Sequence, residues 1–125
     1  VDVGGGSTEI YIYDNSNHSV QSFQLGGVRL MLKKDEKNEW ERMDKWLSQF
    51  NDIKEIIGVG GNIRAFLSAH KSKKMKTDDF LKKYKYLRNL KIEEKINEFG
   101  FANDRADVID FALKIYERII KKLQI

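Results

Sequence analysis

The first nine residues, Val1-Asp2-Val3-Gly4-Gly5-Gly6-Ser7-Thr8-Glu9, are an apolar strand running into three glycines, two hydroxyls and a carboxylate. Glycines accept positive φ and carry no Cβ, so the backbone N–H groups of such a turn can crowd around an anion. Ser7 and Thr8 add hydroxyl donors for phosphate oxygens. Asp2 and Glu9 repel phosphate while ionised, but they can hold a hard divalent cation or orient a water. This makes Gly4, Gly5, Gly6, Ser7 and Thr8 candidate phosphate ligands and Asp2 and Glu9 candidate metal ligands. The plain alternative is a β-hairpin with a glycine-rich turn, although three glycines exceed what a two-residue hairpin turn needs.

Two further glycine junctions follow. Gly26-Gly27 precedes Val28–Leu32, which opens a helix whose free N–H groups would favour an anion, with Arg29 beside them. Gly60-Gly61-Asn62 follows the apolar run Ile56–Val59 and leads into a helix from Ile63. In open α/β sheets such strand-to-helix junctions line the ligand crevice at the carboxyl ends of the strands. Arg29 has two roles open to it, a forked phosphate contact or a surface salt bridge. Gly60 and Gly61 would let backbone approach a ligand. Asn62 would cap its helix or donate to the ligand, and Arg64 is placed to face the cleft. His18 and His70 have no partner at suggestive spacing and are assigned no chemistry.

The elements that position these residues are legible from periodicity. Glu9–Tyr13 reads as a strand, Asp14–His18 as a polar turn and Ser19–Leu25 as a returning strand, which gives a three-strand meander. Lys33–Asn38 is a charged interruption, with Asn38 as N-cap of a helix whose stripe is Trp40, Met43, Trp46, Leu47 and Phe50. Ile53–Val59 reads as a further strand covered on both faces. Helices follow from Thr77, with Phe80, Leu81, Tyr84 and Leu87 inward, and over Lys91–Phe99 with Gly100 at the C-terminus. Asn103 or Asp104 caps a long last helix with Ala106, Ile109, Leu113, Tyr116, Ile120 and Leu123 inward.

Composition limits the alternatives. With 125 residues, 41% hydrophobic and 34% charged, the chain suits one globular α/β domain over 1–125. There is no cysteine, so a disulfide framework or thiolate zinc site is excluded and a reducing, cytoplasmic setting fits. No apolar run approaches the roughly 20 residues of a membrane span. The net charge of +4 owes much to Lys71, Lys73, Lys74, Lys76, Lys82, Lys83 and Lys85. Those lysines form either a solvated helix face or a patch that concentrates polyanions.

Four segments together resemble one family. DVGGGSTE at 2–9 is similar to the second phosphate motif of the exopolyphosphatase/guanosine pentaphosphate phosphohydrolase (Ppx/GppA) family. LGGVRL at 25–30, GVGGNIRAF at 58–66 and RADVI at 105–109 resemble its later motifs, in the family's order, over nearly the whole chain. The family belongs to the actin/sugar kinase/heat-shock ATPase superfamily. The resemblance implies a ribonuclease-H-like fold, with this chain as the second of two domains that face each other across a cleft. The missing N-terminal domain would carry the other phosphate turn and a glutamate acting as general base. The chain is therefore expected to be cut at both ends, lacking a terminal strand, and inactive alone.

The family activity is release of terminal phosphate from polyphosphate or guanosine pentaphosphate. Such chemistry needs charge neutralisation, an in-line water and a group to position it. By this resemblance Glu9 is the catalytic candidate, binding Mg2+ (or another divalent cation) directly or through water, or ordering the nucleophile. Asp2 is a second metal ligand or a brace for the turn. Arg105 and Asp107 are expected to form a structural network at a helix start, with phosphate binding by Arg105 as the alternative. Possible homodimerisation and the choice between the two substrates stay open. Three other readings compete: a nucleotide-dependent kinase of the same superfamily, a non-catalytic polyphosphate- or alarmone-binding module using the lysine face, and a nucleic-acid binder. The last is the weakest, since it lacks aromatic interleaving.

Overall fold

In a computed structural model describing residues 1–125, strand β1 (Asp2–Val3), β2 (Thr8–Asp14) and β3 (Asn17–Phe23) form an antiparallel sheet in the order β1-β2-β3. The meander read from the sequence is therefore present, with its connection shortened to Asn15-Ser16. Asn15 takes φ 50°, a left-handed value asparagine tolerates. The register pairs Asp2 with Glu9 and Glu9 with Ser22. Strand alternation then buries Thr8, Ile10 and Ile12 on one face and exposes Glu9, Tyr11 and Tyr13 on the other.

Six helices follow: α1 (Gly27–Met31), α2 (Lys37–Leu47), α3 (Gly61–Ala69), α4 (Thr77–Arg88), α5 (Ile92–Phe99) and α6 (Asn103–Leu123). The fold is α/β, with most of the helical mass in the C-terminal half. Helix α6 is the spine, packing against each of the other five helices. Its inward stripe holds Ala106, Ile109, Leu113, Tyr116 and Ile120, joined by Ala112, Ile115 and Ile119. Phe23, Leu25, Met43, Leu47, Phe66 and Leu87 complete the core around it. Each such side chain contributes on the order of 2 kcal/mol by leaving water. Trp46 closes the edge of this core between Phe23 and Phe50.

Two sequence expectations are corrected. The further strand over Ile53–Val59 is reduced to a single parallel bridge between Asp2 and Val59. Beyond the Val59 N–H to Val1 carbonyl bond and one from the Val1 amine to Ile57, the segment makes no backbone pairing. β1 is too short to carry a longer ladder, and Ile57 is 75% exposed rather than covered on both faces. The helix caps also differ. Asn38, Asn62 and Asn103 lie inside their helices, whose N-caps are Glu36, Gly60 and Ala102. None of these makes a side-chain cap, so packing of the inward stripes rather than capping sets the helix starts. Gly100, with φ 73°, does end α5 as read.

Candidate functional site

The glycine turn gains its form from what holds its carbonyl groups. The Gly4 carbonyl accepts from the Gly27 N–H and the Gly5 carbonyl from the Arg29 N–H, both at 2.9 Å. The Gly6 carbonyl accepts from Arg29 Nε at 2.7 Å. With all three carbonyls drawn back, the N–H groups of Gly5, Gly6 and Ser7 have no protein partner, whereas Gly4 N–H donates to the Ser7 carbonyl. All three glycines are solvent-exposed. Successive unpaired N–H groups in a turn form an anion-binding concavity. The backing helix must come very close for this to happen: a Cβ on Gly26 would collide with the Gly5 carbonyl. Gly26 is thus required by contact with the turn, not by ligand.

This arrangement corrects the role read for the start of α1. Two of its first-turn N–H groups, on Gly27 and Arg29, are already donated to the turn, so they brace the turn from behind. Arg29 likewise makes neither a salt bridge nor an unencumbered phosphate fork. Its Nε holds the Gly6 carbonyl and Nη2 donates to Gln24 at 3.1 Å, leaving Nη1 and the second Nη2 N–H as its open donors. Thr8 is also corrected. Its hydroxyl is fully buried and donates to the Leu25 carbonyl at 2.7 Å, so the side chain cannot reach a ligand at the turn.

Carboxylates line the open side. Asp2 and Glu9 are directly opposed across β1 and β2, both exposed, and neither is in a salt bridge. Like charges facing each other across a sheet are destabilising unless a cation sits between them. Glu9 Oε1 accepts from Ser7 Oγ at 2.9 Å and from Ser22 Oγ at 3.3 Å, which fixes the carboxylate beside the turn. Ser22 is a site neighbour that the motif search missed, although its place opposite Glu9 follows from the hairpin register. No cluster of three or more His, Cys, Asp or Glu side chains with metal-ligand geometry is present. Two carboxylates suit Mg2+, which keeps several waters and completes its shell with substrate phosphates.

The second junction lies at the same end of the sheet, since Val59 runs parallel to Asp2. Gly60 has φ 110°, a value side-chain-bearing residues rarely take, and a Cβ there would lie 3.3 Å from Asp2 Oδ1. The N–H groups of Gly61, Asn62 and Ile63 have no protein partner. The space over Gly61, however, is filled by the Arg105 guanidinium, so that glycine makes room for an arginine rather than for a ligand. Arg105 Nη1 donates to Asn62 Oδ1 at 2.7 Å, and Asn62 is buried. This is the structural link read for Arg105; Asp107 is exposed and takes no part in it. Arg64 is exposed at the first turn of α3.

Tyr116 ties α6 to this end of the sheet. Its O–H donates to the Val1 carbonyl at 3.1 Å, and burial, with the nearby Asp2 charge adding to it, raises the phenol above its ordinary pKa. Sequence periodicity places Tyr116 inward but gives no sign of this polar contact. His18 and His70 lie outside the site, His70 with Nδ1 2.8 Å from the Phe66 carbonyl.

No family model matches the chain, and no curated protein matches it in sequence. Solved structures do match. The fold is that of a domain found in exopolyphosphatase-type proteins, superposing over 98% of this chain in each case below. The Ppx/GppA family member of Aquifex aeolicus aligns with a TM-score of 0.74 at 22% identity. An exopolyphosphatase from Cytophaga hutchinsonii aligns with a TM-score of 0.72 at 21% identity, and an exopolyphosphatase-like protein with 0.67 at 17%. The chain spans 48% of the length of each of these proteins. At such identities the likeness establishes the shared fold. No helix of the chain is long and apolar enough to cross a membrane.

Proposed function

We propose that this chain is one half of a Ppx/GppA-type phosphohydrolase, supplying a phosphate-binding turn and the Glu9 carboxylate to a cleft completed by a partner domain. The observation that carries this reading is the backbone of the turn. Three carbonyls are tied back by α1 and Arg29, and three successive N–H groups have no protein partner beside two carboxylates outside any salt bridge. The N–H groups of Gly5, Gly6 and Ser7 bind terminal phosphate oxygens, while the Ser7 hydroxyl donates its one proton to Glu9. Asp2 and Glu9 are the residues that would hold Mg2+, which when bound supplies charge neutralisation at the transferred phosphoryl group. Glu9, fixed by Ser7 and Ser22, orients the attacking water. The unpaired N–H groups at the start of α3 and the exposed Arg64 add positive potential from the other side of Asp2.

Inorganic polyphosphate and guanosine pentaphosphate are the substrates this reading favours, with the partner domain providing the general base. The test is phosphate release from each substrate by the protein containing both domains, with and without Glu9→Gln. Loss of at least about a hundredfold in kcat is expected, in line with the effect of removing a positioned acid–base or electrostatic group. Undiminished release by the variant would contradict the role of Glu9.

A further inference from the structure

The open face of the sheet carries an aromatic cluster used by neither the core nor the turn. Tyr11 and Tyr13 project from the same face of β2 as Glu9, and across the ladder they stand opposite Val20 and His18. The His18 ring sits between the two phenols, its centroid 5.5 Å from Tyr11 and 4.9 Å from Tyr13. Tyr11, Tyr13 and Val20 are 54%, 61% and 64% exposed. A contiguous patch of this kind at the surface of a sheet marks a contact site more often than chance exposure does.

Its position says what would lie there. Glu9 is hydrogen-bonded to Ser7 of the turn, so the aromatic rows continue the same surface outward from the phosphate site. At about 3.3 Å per residue, Tyr11 lies about 7 Å and Tyr13 about 13 Å from Glu9 along β2. A nucleoside joined to phosphates at the turn would place its base over these rings. Aromatic side chains on open sheet faces hold nucleobases by stacking, with little dependence on which base it is. No lysine or arginine stands in these rows, whose cross-strand members are Asp2, Glu9 and Ser22, then Tyr11 and Val20, then Tyr13 and His18, so the platform favours a neutral planar group over more phosphate.

We propose that Tyr11, His18 and Tyr13 form a subsite for the base of a nucleotide whose phosphate chain lies at the glycine turn. The inference rests on the phosphate reading of that turn and adds a determinant favouring nucleotide over inorganic polyphosphate. The test titrates the chain, in Mg2+, with GTP and with inorganic tripolyphosphate, following the tyrosine ring and turn amide resonances. Tripolyphosphate carries the greater charge, so tighter binding of GTP has to come from the nucleoside. GTP is expected to bind about tenfold more tightly, within the range of one stacked base. Joint Tyr11→Ala and Tyr13→Ala substitution removes that advantage and leaves tripolyphosphate affinity unchanged, while joint Tyr11→Phe and Tyr13→Phe substitution retains it. Equal affinities in the unsubstituted chain, or equal weakening of both ligands by the alanine variant, overturn the subsite alone. Failure of both ligands to bind overturns the phosphate reading with it. Ring shifts that follow chain concentration instead of nucleotide assign the platform to a second copy and overturn the proposal.

Discussion

Gly26-Gly27-Val28-Arg29 and Gly60-Gly61-Asn62-Ile63-Arg64 look alike as sequence, each a glycine pair opening a helix with an arginine in the first turn. The fold uses them differently. At the first, Gly27 and Arg29 donate their N–H groups to the carbonyls of the glycine turn, so the helix start is filled by protein. At the second, the N–H groups of Gly61, Asn62 and Ile63 stay unpaired, and the glycine accommodates Arg105. A glycine pair before a helix therefore does not by itself mark an anion site. What decides is whether another backbone has already taken the donors. Here one junction is the scaffold that draws the turn's carbonyls back, and the other keeps its own donors unpaired.

The largest effect that would break this contrast is expected from Gly26→Val. Its Cβ meets the Gly5 carbonyl, which is backbone and cannot swing away. Thermal and urea melts are expected to show a loss of about 3 kcal/mol, together with loss of phosphate binding. Gly61→Ala should cost far less, about 1 kcal/mol, because its Cβ meets the tip of the Arg105 side chain, which can move. Equal losses for the two variants would erase the distinction between the two junctions.

Arg29→Ala comes next. It releases the Gly6 carbonyl and the Gln24 contact without touching the backbone donors of α1. A loss of about 1 kcal/mol in stability is expected, with phosphate affinity falling further because the turn is no longer held open. A drop in affinity that tracks stability alone would mean that Arg29 does not shape the cradle.

The smallest effect concerns the edge of the sheet beyond the scaffold. Glu39 accepts from Arg42 and from the Gln24 N–H at 2.7 Å, and these bonds, that of Arg42 first, bring its carboxyl down to about 2 from 4.5. A carboxyl lowered by folding contributes stability that is present above its unfolded value and lost as pH falls through the folded one. The Glu39→Gln variant should therefore be less stable than the unsubstituted chain at pH 7, by under about 1 kcal/mol since the pair is near solvent. That gap should close between pH 4.5 and about 2. A gap independent of pH would rule out the charged hydrogen bonds as its source.

Much of this was legible in the chain itself. The glycine turn, the three-strand meander and the inward stripe of α6 follow from residue type and period, because burial acts on them directly. The role of Thr8 could have been read by the same rule, since it shares strand parity with Ile10 and Ile12 and had to point inward. Ile53–Val59 has the composition of a buried strand, yet Val1 and Asp2 are all it pairs with. Composition reports a preference for the sheet and says nothing about how much partner is available. The N-caps fall one or two residues before Asn38, Asn62 and Asn103, because at these three helices packing sets the start and no side chain caps it. The capture of Gly4, Gly5 and Gly6 carbonyls by α1 and Arg29 joins residues more than 20 apart, beyond the reach of any local pattern.

The most direct measurement of the central claim is an amide NMR titration of the chain with inorganic tripolyphosphate in the presence of Mg2+. Saturable shifts are expected at the N–H groups of Gly5, Gly6 and Ser7, with Gly27 and Arg29 nearly unmoved because their N–H groups already serve the turn. Shifts centred on Gly27 and Arg29, or none at the turn, would contradict the account.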